Sequence, residues 1–173
     1  SSQSLSLADH ADFGATDSLT MAVWINTDAL ASLNGVFSKW GSSANRVAEI
    51  YFDSAGTLVG RTNSTVSVSA ASLIAIGKWY YLVFTIDGTT QKLWTNGELI
   101  VEGANTTTLQ NGGEPLHIGA RMTGDPHVAE SFFDGKIGGA SWSATAMTER
   151  EIKAEYQRGL RRINSTIDTN DTI

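Results

Sequence analysis

The stretch Gly77–Gly97, GKWYYLVFTIDGTTQKLWTNG, leaves few folds open to this chain. Trp79 to Asp87 has the β-branched and aromatic content of a strand. Gly88-Thr89-Thr90 reads as a turn and Lys92–Thr95 as the return strand. Asn96-Gly97 is the favoured type I′ dipeptide, since both central residues need φ > 0. Glu98–Glu102 continues as a third strand, so the region is an antiparallel meander. Alternation sends Tyr80, Leu82, Phe84 and Ile86 to one face and Trp79, Tyr81, Val83 and Thr85 to the other. Both faces are apolar, so the strand is expected to be central, with its second face covered or wetted by something else.

The rest of the chain repeats this pattern. Ser4–Leu7 reads as a first edge strand and Ala8–Ser18 as a loop. In Leu19–Thr27, Leu19, Met21, Val23 and Ile25 take the core face, and Thr20, Ala22, Trp24 and Asn26 the other. Val36–Trp40 is a strand. Val47–Phe52 and Leu58–Thr62 form a hairpin around Asp53-Ser54-Ala55-Gly56, and Val66–Ala70 alternates Val with Ser. Leu116–Ala120 and Phe132–Ser143 are later strands, separated by an irregular stretch, Arg121–Ser131. Thr148 and Glu151 form a capping box. The helix they open is expected to run to about Arg158, to end at Gly159, and to bury Ile152, Tyr156 and Leu160. Residues 161–173 are polar and read as a tail or linker, which divides the chain into a domain at 1–160 and a tail at 161–173.

Four of these segments, in order, resemble the laminin-G-like, concanavalin-A-like lectin/glucanase jelly rolls. They are Leu19-Thr20-Met21-Ala22-Val23-Trp24-Ile25, Val36-Phe37-Ser38-Lys39, the meander itself, and Pro115-Leu116-His117-Ile118-Gly119. The resemblance implies an all-β, two-sheet antiparallel jelly-roll sandwich with one short C-terminal helix. It does not choose a function, because this fold hosts lectins, glycan hydrolases, adhesion modules and virion parts. Relatives often carry an acidic pair, supporting calcium or loop structure, where this chain has Gly138-Gly139. Losing two carboxylates weakens an inherited calcium site, and two glycines there suggest a bulge or a close backbone approach.

Composition narrows the function classes. Net charge is −6 with twelve Lys or Arg residues, spread rather than clustered, which argues against nucleic-acid binding. No apolar run approaches the ~18 residues of a membrane span. There is no cysteine, so disulfides and cysteine-ligated metals are excluded; a bacterial or viral source fits that absence. The chain starts at Ser1 without Met, as a processed product or a piece of something longer would.

Hydrolases of this fold carry paired carboxylates on one strand. The nearest match, Glu49-Ile50-Tyr51-Phe52-Asp53, lacks the central acid, and Asp53 opens a turn; no catalytic residue is expected. His10, His117 and His127 are isolated. Calcium through Asp9, Asp12 and Asp17, or through Asp125 and Asp134, matches no EF-hand spacing, so no cofactor is expected. The sequons at Asn63, Asn105, Asn164 and Asn170 read as chance in a chain rich in Asn, Ser and Thr. The aromatic face is the better lead: Trp24, Tyr81 and Trp94, with Asn26, offer rings and polar neighbours suited to sugars, unless loops or the helix cover them. Trp79 and Trp142 read as scaffold. The expected function is a non-catalytic recognition module for surface glycans, on a cell or particle surface. The alternative is an assembly module of a phage or other virion, because Glu155–Asn164 resembles the segment trailing such jelly rolls in phage particle proteins. On that reading Ile163, Ile167 and Ile173 of the tail would dock on another subunit.

Overall fold

The computed structural model describes residues 4–14, 17–41, 46–62, 66–106, 108–109, 113–123 and 128–170. In chain order its strands are β1 (Leu5–Leu7), β2 (Ser18–Thr27), β3 (Asn34–Trp40), β4 (Arg46–Phe52), β5 (Leu58–Thr62), β6 (Val66–Ala70), β7 (Trp79–Asp87), β8 (Thr90–Thr95) and β9 (Glu98–Ala104). They are followed by β10 (Leu116–Ile118), β11 (Arg121–Thr123), β12 (Val128–Glu130) and β13 (Gly135–Ser143), then helix α1 (Glu149–Asn170). A six-stranded sheet runs β1-β10-β3-β4-β5-β6 and a five-stranded sheet runs β13-β2-β7-β8-β9. Every strand pairing within these two sheets is antiparallel. This is the two-sheet jelly roll that the sequence implied.

The sheets face each other across one apolar core. Leu19, Met21, Val23, Ile25, Leu82, Phe84, Ile86 and Leu93 fill it from one side; Phe37, Val47, Ile50, Phe52, Leu58, Val68 and Leu116 fill it from the other. The alternation read from β2 and β7 sends those residues inward. The meander turns as its dipeptides require: Asn96 and Gly97 both have positive φ, at 52° and 85°. Asp53 holds its turn by accepting from the backbone amides of Ala55 and Thr57, each at 2.9 Å.

Three elements depart from the sequence reading. Residues 11–13 of the first loop form a short 3-10 turn. The stretch read as irregular, Arg121–Ser131, contains the two-stranded β11–β12 ribbon. Helix α1 does not end at Gly159 but continues to Asn170, so the segment read as an unstructured tail begins as helix. Its start is the expected capping box. The Thr148 amide donates to Glu151 Oε2 at 2.8 Å, and the Glu151 amide donates to Thr148 Oγ1 at 3.4 Å. Asn105 of the sequon set is buried, with its side chain bonded to Thr62 and the Gly88 carbonyl.

Candidate functional site

Helix α1 is what covers the second face of the five-stranded sheet. Ala22 and Trp24 on β2, Tyr81 and Val83 on β7 and Trp94 on β8 form a second apolar cluster with Ile152. Tyr156, Leu160, Ile163 and Met147 pack against it. Tyr156 stacks on Trp24 with ring centroids 5.6 Å apart and planes 18° apart, and Trp24 stacks on Tyr81 at 5.2 Å and 28°. Gly159 lies directly on the Trp24 indole. A Cβ there would fall 2.3 Å from Nε1 and 2.5 Å from Cε2. The residue read as a helix stop is instead a helix-interior contact point that lets the backbone approach the ring.

The helix covers only part of the sheet. On the β2–β13 side the residues are small, namely Ala22, Gly138, Gly139, Ala140 and Ser141, and a groove of about 530 Å³ opens between sheet and helix. Trp24, Trp79 and Tyr81 supply its aromatic surface. The helix wall contributes Glu155, Arg158, Arg162 and Ile163. β13 is the outermost strand and bulges here: its register against β2 slips between Gly138 and Ala140, with Gly139 at φ 68°, as the Gly-Gly pair suggested. Such a conformation is strained for any residue with a Cβ. Gly138 leaves room for Trp79, since a Cβ at 138 would lie 3.3 Å from the indole.

Of the four residues singled out from sequence, the groove brings together two. Trp24 and Tyr81 line it, but their ring faces are engaged by each other and by Tyr156. Trp94 is buried within the cluster, its indole N–H donating to Thr85 Oγ1 at 3.1 Å. Asn26 is half-buried opposite Trp79 and Lys136 and is not among the lining residues. Trp79, read as scaffold, is half-buried and is the least covered ring of the groove. Trp142 does pack in the core, edge-on to Phe13 and Phe37. Burial, then the negative charge of Glu155, push the Tyr81 phenol up to about 12, with Arg158 pulling the other way. Tyr81 is therefore a neutral hydroxyl at any ordinary pH. The helix-wall polar residues were missed in the sequence. Their signal was available: 155, 158 and 162 flank the 152, 156, 160 and 163 stripe at helical spacing.

The outer face of the six-stranded sheet carries a polar row running His117–Ser38–Glu49–Arg61–Ser67 across neighbouring strands. Glu49, the one acid with hydrolase-like context, is 1% exposed. Arg61 bonds one of its carboxylate oxygens, and Arg121 Nε bonds the other at 2.9 Å. The Arg61 guanidinium also lies 4.4 Å over Trp40 and 5.3 Å over Tyr51. Burial pushes the Glu49 carboxyl above its ordinary value, against the pull of the two guanidiniums. In this arrangement both carboxylate oxygens are engaged, and the acid ties β11 to β4 and β5. Asp9, weighed for calcium, pairs with the fully buried Lys39 at 2.5 Å. Asp125 lies outside the described residues. Among the described residues no three His, Cys, Asp or Glu gather to hold a metal ion, and no helix is long and apolar enough to cross a membrane.

Comparison with known proteins fits this architecture. The family profile described as Laminin_G_3, concanavalin A-like lectin/glucanases superfamily, matches residues 1–153. The chain belongs to that superfamily. Among curated protein sequences none matches significantly. Among solved structures, the chain is similar to the Ruminococcus gnavus IT-sialidase CBM40, with a TM-score of 0.69, 13% identity, and coverage of 89% of this chain and 96% of that one. It is also similar to domain 4 of AbnA, a GH43 extracellular arabinanase from Geobacillus stearothermophilus solved with arabinotriose. There the TM-score is 0.65 and identity 18%, over 87% of this chain and 71% of that one. A third is the heptameric SAP-like pentraxin of Limulus polyphemus, with a TM-score of 0.65 and 17% identity over 87% and 79% of the two chains. At these identities the likeness shows the fold.

Proposed function

We propose that this domain is a non-catalytic glycan-recognition module, acting on saccharides outside the cell, and that it binds them in the groove between α1 and the five-stranded sheet. The observation that carries this is the composition of the groove. The half-buried ring of Trp79 sits beside Ser141 and the charged residues Glu155, Arg158 and Arg162. Sugar rings present apolar C–H faces and polar edges, so an aromatic floor with polar groups at its margin is complementary to them. Two structural neighbours support the class: the sialidase CBM40 has been solved with α2,6-sialyllactose and the arabinanase domain with arabinotriose.

A glycan array, followed by calorimetric titration of hits against the unmodified chain and Trp79→Ala, tests this. We expect at least one glycan class to bind. Trp79→Ala removes the apolar face on which the sugar ring would rest and should weaken binding at least fivefold. Absence of binding across the array, or hits indifferent to Trp79→Ala, would overturn the reading. Hydrolysis of a hit that disappears in Glu49→Gln would overturn the non-catalytic part.

A further inference from the structure

Resting on that groove as the glycan site, we infer that it takes an uncharged pyranose laid on Trp79, and that Gly138 is the positioning residue that keeps the indole down along the groove floor. Trp79 is on β7 and Gly138 on β13, with β2 between them. Two strand spacings, about 10 Å, separate the two strands. A Cβ at 138 would nonetheless lie 3.3 Å from Cζ3 and 3.4 Å from Cη2 of that indole. The ring therefore reaches across β2 with its far edge at Gly138, instead of standing off the sheet. The backbone does not ask for glycine here. Gly139, next in the bulge, has φ 68°, whereas Gly138 is not among the glycines with positive φ. Glycine weakens a strand, and a β-branched residue would suit one better. What a side chain at 138 would meet first is the indole; the next atom, Trp24 Cβ, would stand at an ordinary 3.7 Å.

An indole held down in this way offers apolar surface to the C–H face of a pyranose, with Ser141 on the same lining. The charged residues of the helix wall are already engaged. Arg158 is paired with Glu155, and Arg162 has a partner of its own. An acidic sugar would have to displace one of those partners or bury its charge unpaired, and either is costly. The chain's net charge of −6 repels it at longer range. Sugar hydroxyls meet no such penalty. A paired guanidinium still has N–H donors to give and a paired carboxylate still has acceptor sites, so both can bond hydroxyls without parting.

The test is calorimetric titration of the full chain with four uncharged probes, maltotriose, cellotriose, mannotriose and lactose, and two acidic ones, trigalacturonate and sialyllactose. We expect at least one uncharged probe to bind, fivefold or more tighter than either acid. Gly138→Val should weaken that binding fivefold or more in the unmodified chain and less than twofold in Trp79→Phe, whose shorter ring clears position 138. Acrylamide quenching of tryptophan fluorescence needs no ligand. It should rise on Gly138→Val when Trp79 is present and stay unchanged in Trp79→Phe. If Gly138→Val does not fold, Gly138→Ala carries the same comparison, with smaller changes in the same directions. Equal losses in both backgrounds, or quenching indifferent to residue 138, overturn the positioning role and leave the glycan groove standing. An acid bound as tightly as the best uncharged probe overturns the sugar class and also leaves the groove standing. No binding by any of the six overturns this inference; a glycan array that is silent as well overturns the glycan reading with it.

Discussion

Gly159 shows how one residue can be read two ways. In a helical sequence it looks like a C-terminal stop, because glycine costs about 1 kcal/mol relative to alanine in a helix interior. On propensity alone, Gly159→Ala should therefore stabilise the protein. The structure reverses that sign. The added methyl would overlap Trp24, whose ring is stacked with both Tyr81 and Tyr156, so any shift of the ring disturbs those contacts. Overpacking of this kind costs roughly 1–3 kcal/mol, which exceeds the propensity gain over most of its range. We expect Gly159→Ala to lower the melting temperature and to shift tryptophan fluorescence. A rise in melting temperature would show that the helix is not pressed against the ring. The same contact explains why Trp24 and Tyr81, legible in the sequence as outward-facing aromatics, are not open platforms: their faces are used to hold the helix, and Trp79 is left as the ring beside free space.

At the scale of the element, α1 is held by groups that titrate at opposite ends of the pH scale. The hydrogen bond from the Thr148 amide, and then the Thr148 side chain, hold Glu151 below its ordinary value of 4.5; a hydrogen bond from Lys153, and then its charge, do the same for Glu149. Carboxyls depressed in the folded state stabilise it above their unfolded value, and that contribution is lost as pH falls below 4.5 through the lowered values. Tyr81 works the other way. Its phenol is raised from 10 to about 12, so its contribution is complete below pH 10 and is lost as pH rises through that interval. Docking of α1 should thus be flat between the two limits and loosen outside them. Near-UV circular dichroism of the Trp24–Tyr156 stack follows it directly. A signal that moves inside the plateau, or stays unchanged beyond both limits, would contradict this account of the interface.

For the molecule as a whole, α1 is part of the domain. The side chains described in its docking lie at or before Ile163. A chain ending at Ile163 should keep its fold and melt within a few degrees of the full protein. One ending at Met147 uncovers Trp24, Tyr81, Val83 and Trp94 together. At roughly 1.5–3 kcal/mol for each large apolar side chain, that loss approaches a typical domain stability of about 5–15 kcal/mol. We expect the shorter chain to bind ANS and aggregate; a well-folded monomer would show that the jelly roll stands without the helix. What the sequence determined by itself is what depends on local period and turn chemistry. The alternation in β2 and β7 set which side chains enter the core, Asn96-Gly97 set the meander, Thr148 and Glu151 set the helix start, and Gly138-Gly139 marked the bulge. What only the tertiary structure decided is what depends on one element meeting another. Helix α1 passes through Gly159 because a ring waits beneath it. Glu49 is bound by Arg61 and Arg121, which arrive from other strands. The groove exists because small residues on β2 and β13 fail to fill the space beside a helix far away in sequence, and no periodicity within either segment encodes that gap.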